Sequence, residues 1–150
     1  MEPITVIVSA LAAGAAAGLK PMAEGAIKDA YNAIKSFITK KYEKVDLTPL
    51  EAKPESENKR ASLAEDLTDA GAANDVELLD QAKQVIDAVA KHDPESASAI
   101  GIILREVEAQ YLEVRKIVTD GTGMIVEKGK FGEVIIGEVD ARRGPSSANP

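Results

Sequence analysis

Residues 4–19 read ITVIVSALAAGAAAGL, sixteen positions without a charged side chain. Glu2 precedes the run and Lys20-Pro21 closes it. Pro3 suits a first helical turn, where its missing N–H costs no hydrogen bond, so the run predicts a helix over Pro3 to Leu19. A helix that is apolar on every side has to be covered. The cover is its own domain, another copy of the chain, or lipid. Ala10, Gly14 and Gly18 recur every four residues, and Gly14-Ala-Ala-Ala-Gly18 is a G-x-x-x-G, which lets two helix backbones approach closely. Small residues also let a helix sit at the centre of a bundle, and the sequence leaves both uses open. The candidate membrane and self-association positions are Ile4, Val6, Ile7, Val8, Leu11, Gly14, Gly18 and Leu19.

The run does not read as a secretory signal, because it is preceded by Glu2 and by no lysine or arginine. Sixteen uncharged residues also fall short of the roughly 20 that a constitutive transmembrane helix needs. The expectation is a protein that is cytoplasmic at rest and membrane-active only under some condition. Charge is distributed accordingly. From Lys20 to Lys44 six lysines face three acids, and from Val45 to Ile100 thirteen acids face five bases. A basic segment beside an apolar one suits an anionic lipid surface. Lys20, Lys28, Lys35, Lys40 and Lys41 are the candidate headgroup contacts, although taken alone a solvated face with favourable helix-end charges is the better explanation of these lysines. The acidic middle, and the absence of a basic patch interleaved with aromatics, argue against a nucleic-acid partner.

Apolar residues make up 45% of the 150, much of it alanine, and only three tyrosines and two phenylalanines are aromatic. The expected core is helical, closely packed and thin. Cysteine is absent, which excludes disulfides and thiolate metal sites. A second helix, about Ala23 to Tyr42, places Ile27, Ala30, Tyr31, Ile34 and Ile38 at helical spacing, with Phe37 alongside. Residues 45–56 form a connector in which Pro49 and Pro54 forbid a continuous helix. A third helix, about Glu57 to Ala70, turns Leu63 and Leu67 inward and ends at Gly71. Asn74-Asp-Val-Glu77 resembles a capping box and opens a fourth helix to about Lys91, with Val76, Leu79, Ala82, Ile86 and Val89 as its stripe. Asp93-Pro94 starts a further turn or short helix, which Gly101 interrupts. The last helix, about Ile103 to Ile117, carries a seam of Leu104, Val107, Tyr111, Val114 and Val118.

After Val118 the sequence TDGTGMIVEKGKFGEVIIGEVD turns glycine-rich and β-branched. Met124–Glu127 and Phe131–Val139 read as strands joined at Lys128-Gly129-Lys130. Two strands alone do not bury enough surface to be stable in water, so they need the helices, a partner sheet, or copies of themselves. Met124, Ile125, Val126, Phe131, Val134, Ile135, Ile136, Gly137 and Val139 are the candidate assembly residues. Val134-Ile135-Ile136-Gly137 combines β-propensity with no internal charge, and Glu133 and Glu138 flank it. A plain hairpin on the helical domain or in a dimer is the alternative use. The division is therefore 1–118 helical, 119–141 β motif and 142–150 a disordered end.

Catalysis has little support. His92 is the only histidine, and beside Asp93 at a helix junction it lacks a nucleophile to serve. No phosphate-binding glycine motif occurs, and Gly121-Thr-Gly123 is read as a loop rather than a phosphate cradle. No catalytic, cofactor or metal residue is assigned, and the protein is expected not to be an enzyme.

The opening helix, the helical domain after it and the glycine-punctuated β motif together resemble the bacterial HeLo-like ("Bell") domain proteins. These are counterparts of fungal HeLo domains and of the four-helix domain of mixed-lineage kinase-domain-like pseudokinase. The resemblance covers about Met1 to Val118 and, for the motif, Gly121 to Asp140. Val134-Ile135-Ile136-Gly137 is similar to the V-Q-V-G core of receptor-interacting homotypic motifs, with Ile135 standing where those carry glutamine. The resemblance implies a cell-death or antiphage effector. It would be templated through its C-terminal motif by a sensor carrying a similar one, would oligomerise with itself, and would attack the inner membrane with its first helix. Sequence therefore predicts a mainly α fold, a four- or five-helix bundle with a C-terminal β-hairpin or β-prone tail. The rival reading is a soluble adaptor or homo-oligomeric scaffold that pairs through its strands and whose first helix never leaves the core.

Overall fold

A computed structural model describes residues 3–126, with side chains as far as Ile117. Seven α-helices follow one another: α1 (Pro3–Gly18), α2 (Gly25–Lys41), α3 (Thr48–Ala52), α4 (Glu57–Asp69), α5 (Val76–His92), α6 (Pro94–Ala99) and α7 (Leu104–Val126). A 3-10 turn, Ala72–Asn74, joins α4 to α5. Residues 1–112 form one compact unit and 113–150 a second, of which α7 supplies the described part.

The first unit is built around α1. This helix packs on α5 and α2, and also on α4, α6, α3 and the 3-10 turn. Twelve of its sixteen residues are buried. Only Thr5 is exposed, and Pro3, Ser9 and Ala16 are half-buried. Thr5 and Ser9 are the only polar side chains in α1, one turn apart, so they mark its least covered stripe. The surrounding helices each turn an apolar stripe inward. In α2 it is Ile27, Tyr31, Ile34 and Ile38, and in α5 it is Leu78, Leu79, Ala82, Val85, Ile86 and Val89. The spacings of three and four residues place each set on one helix face.

Local chemistry sets the helix ends. Ser56 caps α4 by accepting from Lys59 N–H, and Asp75 caps α5 by accepting from Leu78 N–H. Asp93 caps α6 with Pro94 in the first turn. Gly71 and Gly101 have φ of +82° and +83°, the left-handed conformation that glycine adopts at little cost. After α6 the Gly101 and Ile102 amides donate to the Ser98 and Ala97 carbonyls, at 3.0 and 2.9 Å. That pair of bonds is a Schellman closure.

Three expectations need revision. The connector 45–56 contains the short helix α3, with Pro49 in its first turn and Thr48 N–H donating to Asp46. The cap of α5 is Asp75 rather than Asn74. The last helix runs on to Val126, so Met124, Ile125 and Val126 lie in α7 and not in a strand. Phe131, Val134, Ile135, Ile136, Gly137 and Val139 lie outside the described residues.

Candidate functional site

The candidate site is α1 with the shell that covers it. Ile4, Val6, Ile7, Val8 and Leu11 are all 5% exposed or less. Gly14 and Gly18 are buried as well, and only Leu19, at 48%, emerges. The G-x-x-x-G face is occupied from within the unit. A Cβ on Gly14 would lie 2.7 Å from Val85 Cγ1 and 2.9 Å from Tyr31 Cδ1. A Cβ on Gly18 would lie 3.3 Å from Ile27 Cγ2. The missing side chains thus let α1 approach α5 and α2, which is how small residues bring helices close.

Immediately after α1 the chain is tied down. Lys20 Nζ lies 3.3 Å from Asp93 Oδ2 and also donates to Ser96 Oγ. Ser96 Oγ in turn donates to Asp93 Oδ2 at 2.7 Å. Ser96 is 5% exposed, the one buried polar residue among those described. The Ser96 hydroxyl first, and the Lys20 ammonium after it, hold the Asp93 carboxyl below the usual carboxylate range against a smaller opposing effect of burial. This clasp spans α1's end and α6's start. It also accounts for the His92-Asp93 pair: His92 ends α5 in solvent, while Asp93 is engaged with Ser96 and Lys20.

The shell is pinned by its tyrosines. Tyr31 Oη donates to Glu51 at 2.8 Å, where Lys35 also pairs at 2.9 Å, tying α2 to α3. Tyr42 Oη donates to Asp75 at 2.5 Å, where Lys41 also pairs at 2.9 Å, tying the end of α2 to α5. Tyr111 Oη donates to Asp80 at 2.7 Å, tying α7 to α5. Burial, and then the neighbouring carboxylate, push the Tyr31 and Tyr42 hydroxyls far above the usual tyrosine range. Burial works against the Asp75 anion. Tyr42, Lys41 and the Leu78 amide together outweigh it and hold Asp75 below the usual range.

These contacts redistribute the five lysines. Lys20, Lys35 and Lys41 are engaged in the resting fold, and Lys41 also lies 5.4 Å from the Phe37 ring centroid. Lys28 and Lys40 are exposed and carry no ion pair among the described residues. The tyrosine pins join residues 20 to 33 positions apart, which periodicity does not reveal. Among the described residues no helix is long and apolar enough to cross a membrane.

The family model for the Het-E N-terminal domain matches residues 1–142. That family is related to the HeLo-type cell-death domains, in their fungal heterokaryon-incompatibility form. No curated protein and no solved structure matches the chain. The bacterial setting expected from the resemblance is not part of the match.

Proposed function

The chain belongs to the Het-E N-terminal domain family, and on that premise we propose that it is a non-enzymatic cell-death effector that stores a membrane-active helix. One observation carries the reading. α1 carries no charged side chain, is apolar apart from Thr5 and Ser9, and is covered on nearly all sides by helices that are themselves amphipathic. Such a helix has two stable environments, the bundle and a lipid interface. The clasp at Lys20 and the tyrosine pins favour the first.

Assembly of copies through the segment that includes Phe131, Val134, Ile135, Ile136, Gly137 and Val139 is the proposed trigger, with a sensor bearing a similar motif as template. Met124, Ile125 and Val126 belong to α7 at rest and join the motif only if that helix unwinds. On release, α1 covers about 24 Å at 1.5 Å per residue, less than the roughly 30 Å hydrocarbon core. It therefore enters one leaflet or thins the bilayer in an oligomer, and does not span alone. Lys20, Lys28, Lys35, Lys40 and Lys41 then face anionic headgroups.

The depth at which Gly14 is seated against Val85 and Tyr31 favours the rival reading, a scaffold whose α1 never leaves. The two readings separate in one experiment. Cysteines placed by Gly18→Cys and Ile27→Cys, in a chain with no other, can be oxidised to tie α1 to α2. The effector reading expects dye release from anionic vesicles by the reduced double variant and none by the oxidised form. Leakage in neither form supports the scaffold, and equal leakage in both forms overturns the release of α1 as the cause.

A further inference from the structure

We propose that Lys20, Asp93 and Ser96 form an autoinhibitory latch, and that α1 leaves the bundle from the end they hold. The proposal rests on the reading of α1 as a stored helix and adds the order in which it opens. The two halves of α1 are unlike. Residues 4–11 bury Ile4, Val6, Ile7, Val8 and Leu11. Residues 12–18, AAGAAAG, carry no side chain larger than a methyl group. Hydrophobic stabilisation scales with the apolar area removed from water, so most of it belongs to the first half. Glycine also has the poorest helix propensity after proline, and both glycines stand in the second half.

The last turn of α1 contains no basic residue to meet the helix carbonyls. Lys20 follows just past the helix end, and its ammonium donates to α6 and the residue that caps it. The second half of α1 is thus held by close backbone packing and by a contact made beyond it. That contact opens without leaving a buried group stranded. An ammonium only donates and a carboxylate only accepts, so the Ser96 hydroxyl between them accepts from Lys20 and donates to Asp93. Asp93 Oδ1 also accepts from the Ser96 N–H at 3.3 Å. When Lys20 leaves, Ser96 and Asp93 keep each other, and the penalty of an unpartnered buried polar group is avoided. The tyrosine pins differ, because Tyr31 is 1% exposed and its hydroxyl would lose its Glu51 partner. Lys20 is also the accessible member of the clasp, with 53% of its side chain exposed against 24% for Asp93. The end of α1 can therefore lift while α6 stays in place.

The test is native-state hydrogen exchange of the full chain at increasing low urea. The Ala15–Leu19 amides are expected to exchange through a local opening whose extent does not change with urea. The Ile7–Leu11 amides are expected to exchange through a larger opening that urea promotes. Lys20→Gln is expected to speed the first set about tenfold, and so is Asp93→Asn, which keeps a capping side chain on α6. The double variant should go no further than either single one, because both remove the same interaction. Lys28→Gln removes an exposed charge outside the clasp and should change the first set by less than about twofold.

A single opening shared by both sets of amides overturns the order of release. Equal effects of Lys28→Gln and Asp93→Asn, or effects that add in the double variant, overturn the latch. The functional arm uses Asp93→Asn, since Lys20 is itself a proposed headgroup contact. Dye release from anionic vesicles is expected to run about tenfold faster than in the unaltered chain, in step with the larger open population. Unchanged release beside a faster local opening overturns the clasp as the control on α1. A local opening that responds to the clasp, with no dye release from any variant, supports the order of opening and overturns the membrane reading instead.

Discussion

Two glycines of one motif stand in different surroundings. A methyl group on Gly14 meets Val85 and Tyr31 at 2.7 and 2.9 Å, and neither contact is the free end of a flexible chain. Gly14→Ala is expected to destabilise by about 1–3 kcal/mol, the usual cost of overpacking. Gly18 has 3.3 Å to Ile27, a contact that a few tenths of an ångström relieves, and alanine gains up to about 1 kcal/mol of helix propensity over glycine. Gly18→Ala is therefore expected to be close to neutral. Urea midpoints of the two variants at unchanged slope check the contrast. The G-x-x-x-G was legible in the sequence. Its partner was not, because a gap fits a helix of any origin and only the fold supplies Val85 and Tyr31. Gly101, at φ +83°, was legible as an interruption, and Gly101→Ala is expected to cost about 1–2 kcal/mol by the same thermal or urea measurement.

At the scale of elements, periodicity found α2, α4 and α5 because each buries a stripe, and α1 was found by its unbroken uncharged run because it is buried nearly all round. The Asp93-Pro94 start of α6 was legible because capping chemistry is local. α3 was passed over since two prolines suggested only a break, although Asp46-Leu-Thr-Pro49 also carries a side-chain acceptor and a first-turn proline. α7 continues through Gly121 and Gly123, where composition read as turn and strand, and nothing local in the sequence explains that continuation. The clasp belongs to this scale too, since it joins α1's end to α6's start across 73 positions. Lys20 is about half exposed, so its ion pair is screened and Lys20→Gln should lower global stability by less than about 1 kcal/mol. Its local effect should be larger. Hydrogen exchange at the Ala15–Leu19 amides should speed up in that variant while the amides of α5 stay unchanged. Equal acceleration in both would mean the clasp acts only on the whole fold.

For the whole molecule, the pins set the pH range of the bundle. Asp75 and Asp93 titrate below the usual carboxylate value of about 3.9 when folded. Their contribution is therefore complete above about pH 4 and is lost as pH falls through the lower folded values. Tyr31 and Tyr42 titrate above the usual value of about 10, so folding loses free energy as pH rises past it. Thermal midpoints should be flat between about pH 5 and 9 and fall on both sides. Asp75→Asn should flatten the acid limb and Tyr31→Phe the alkaline one. A midpoint that moved steeply between pH 5 and 7 would contradict this arrangement.

The account rests on α1 being stored and able to leave, and Val85 reports on that directly. It is 0% exposed and lies against Gly14. Val85→Cys places the only thiol of the chain beneath α1 with little change in volume. The measurement is the rate at which a water-soluble thiol reagent labels that position in the full chain, with and without anionic vesicles. The account predicts slow labelling in buffer and fast labelling on vesicles that leak. Slow labelling in both, while the vesicles leak, would contradict it.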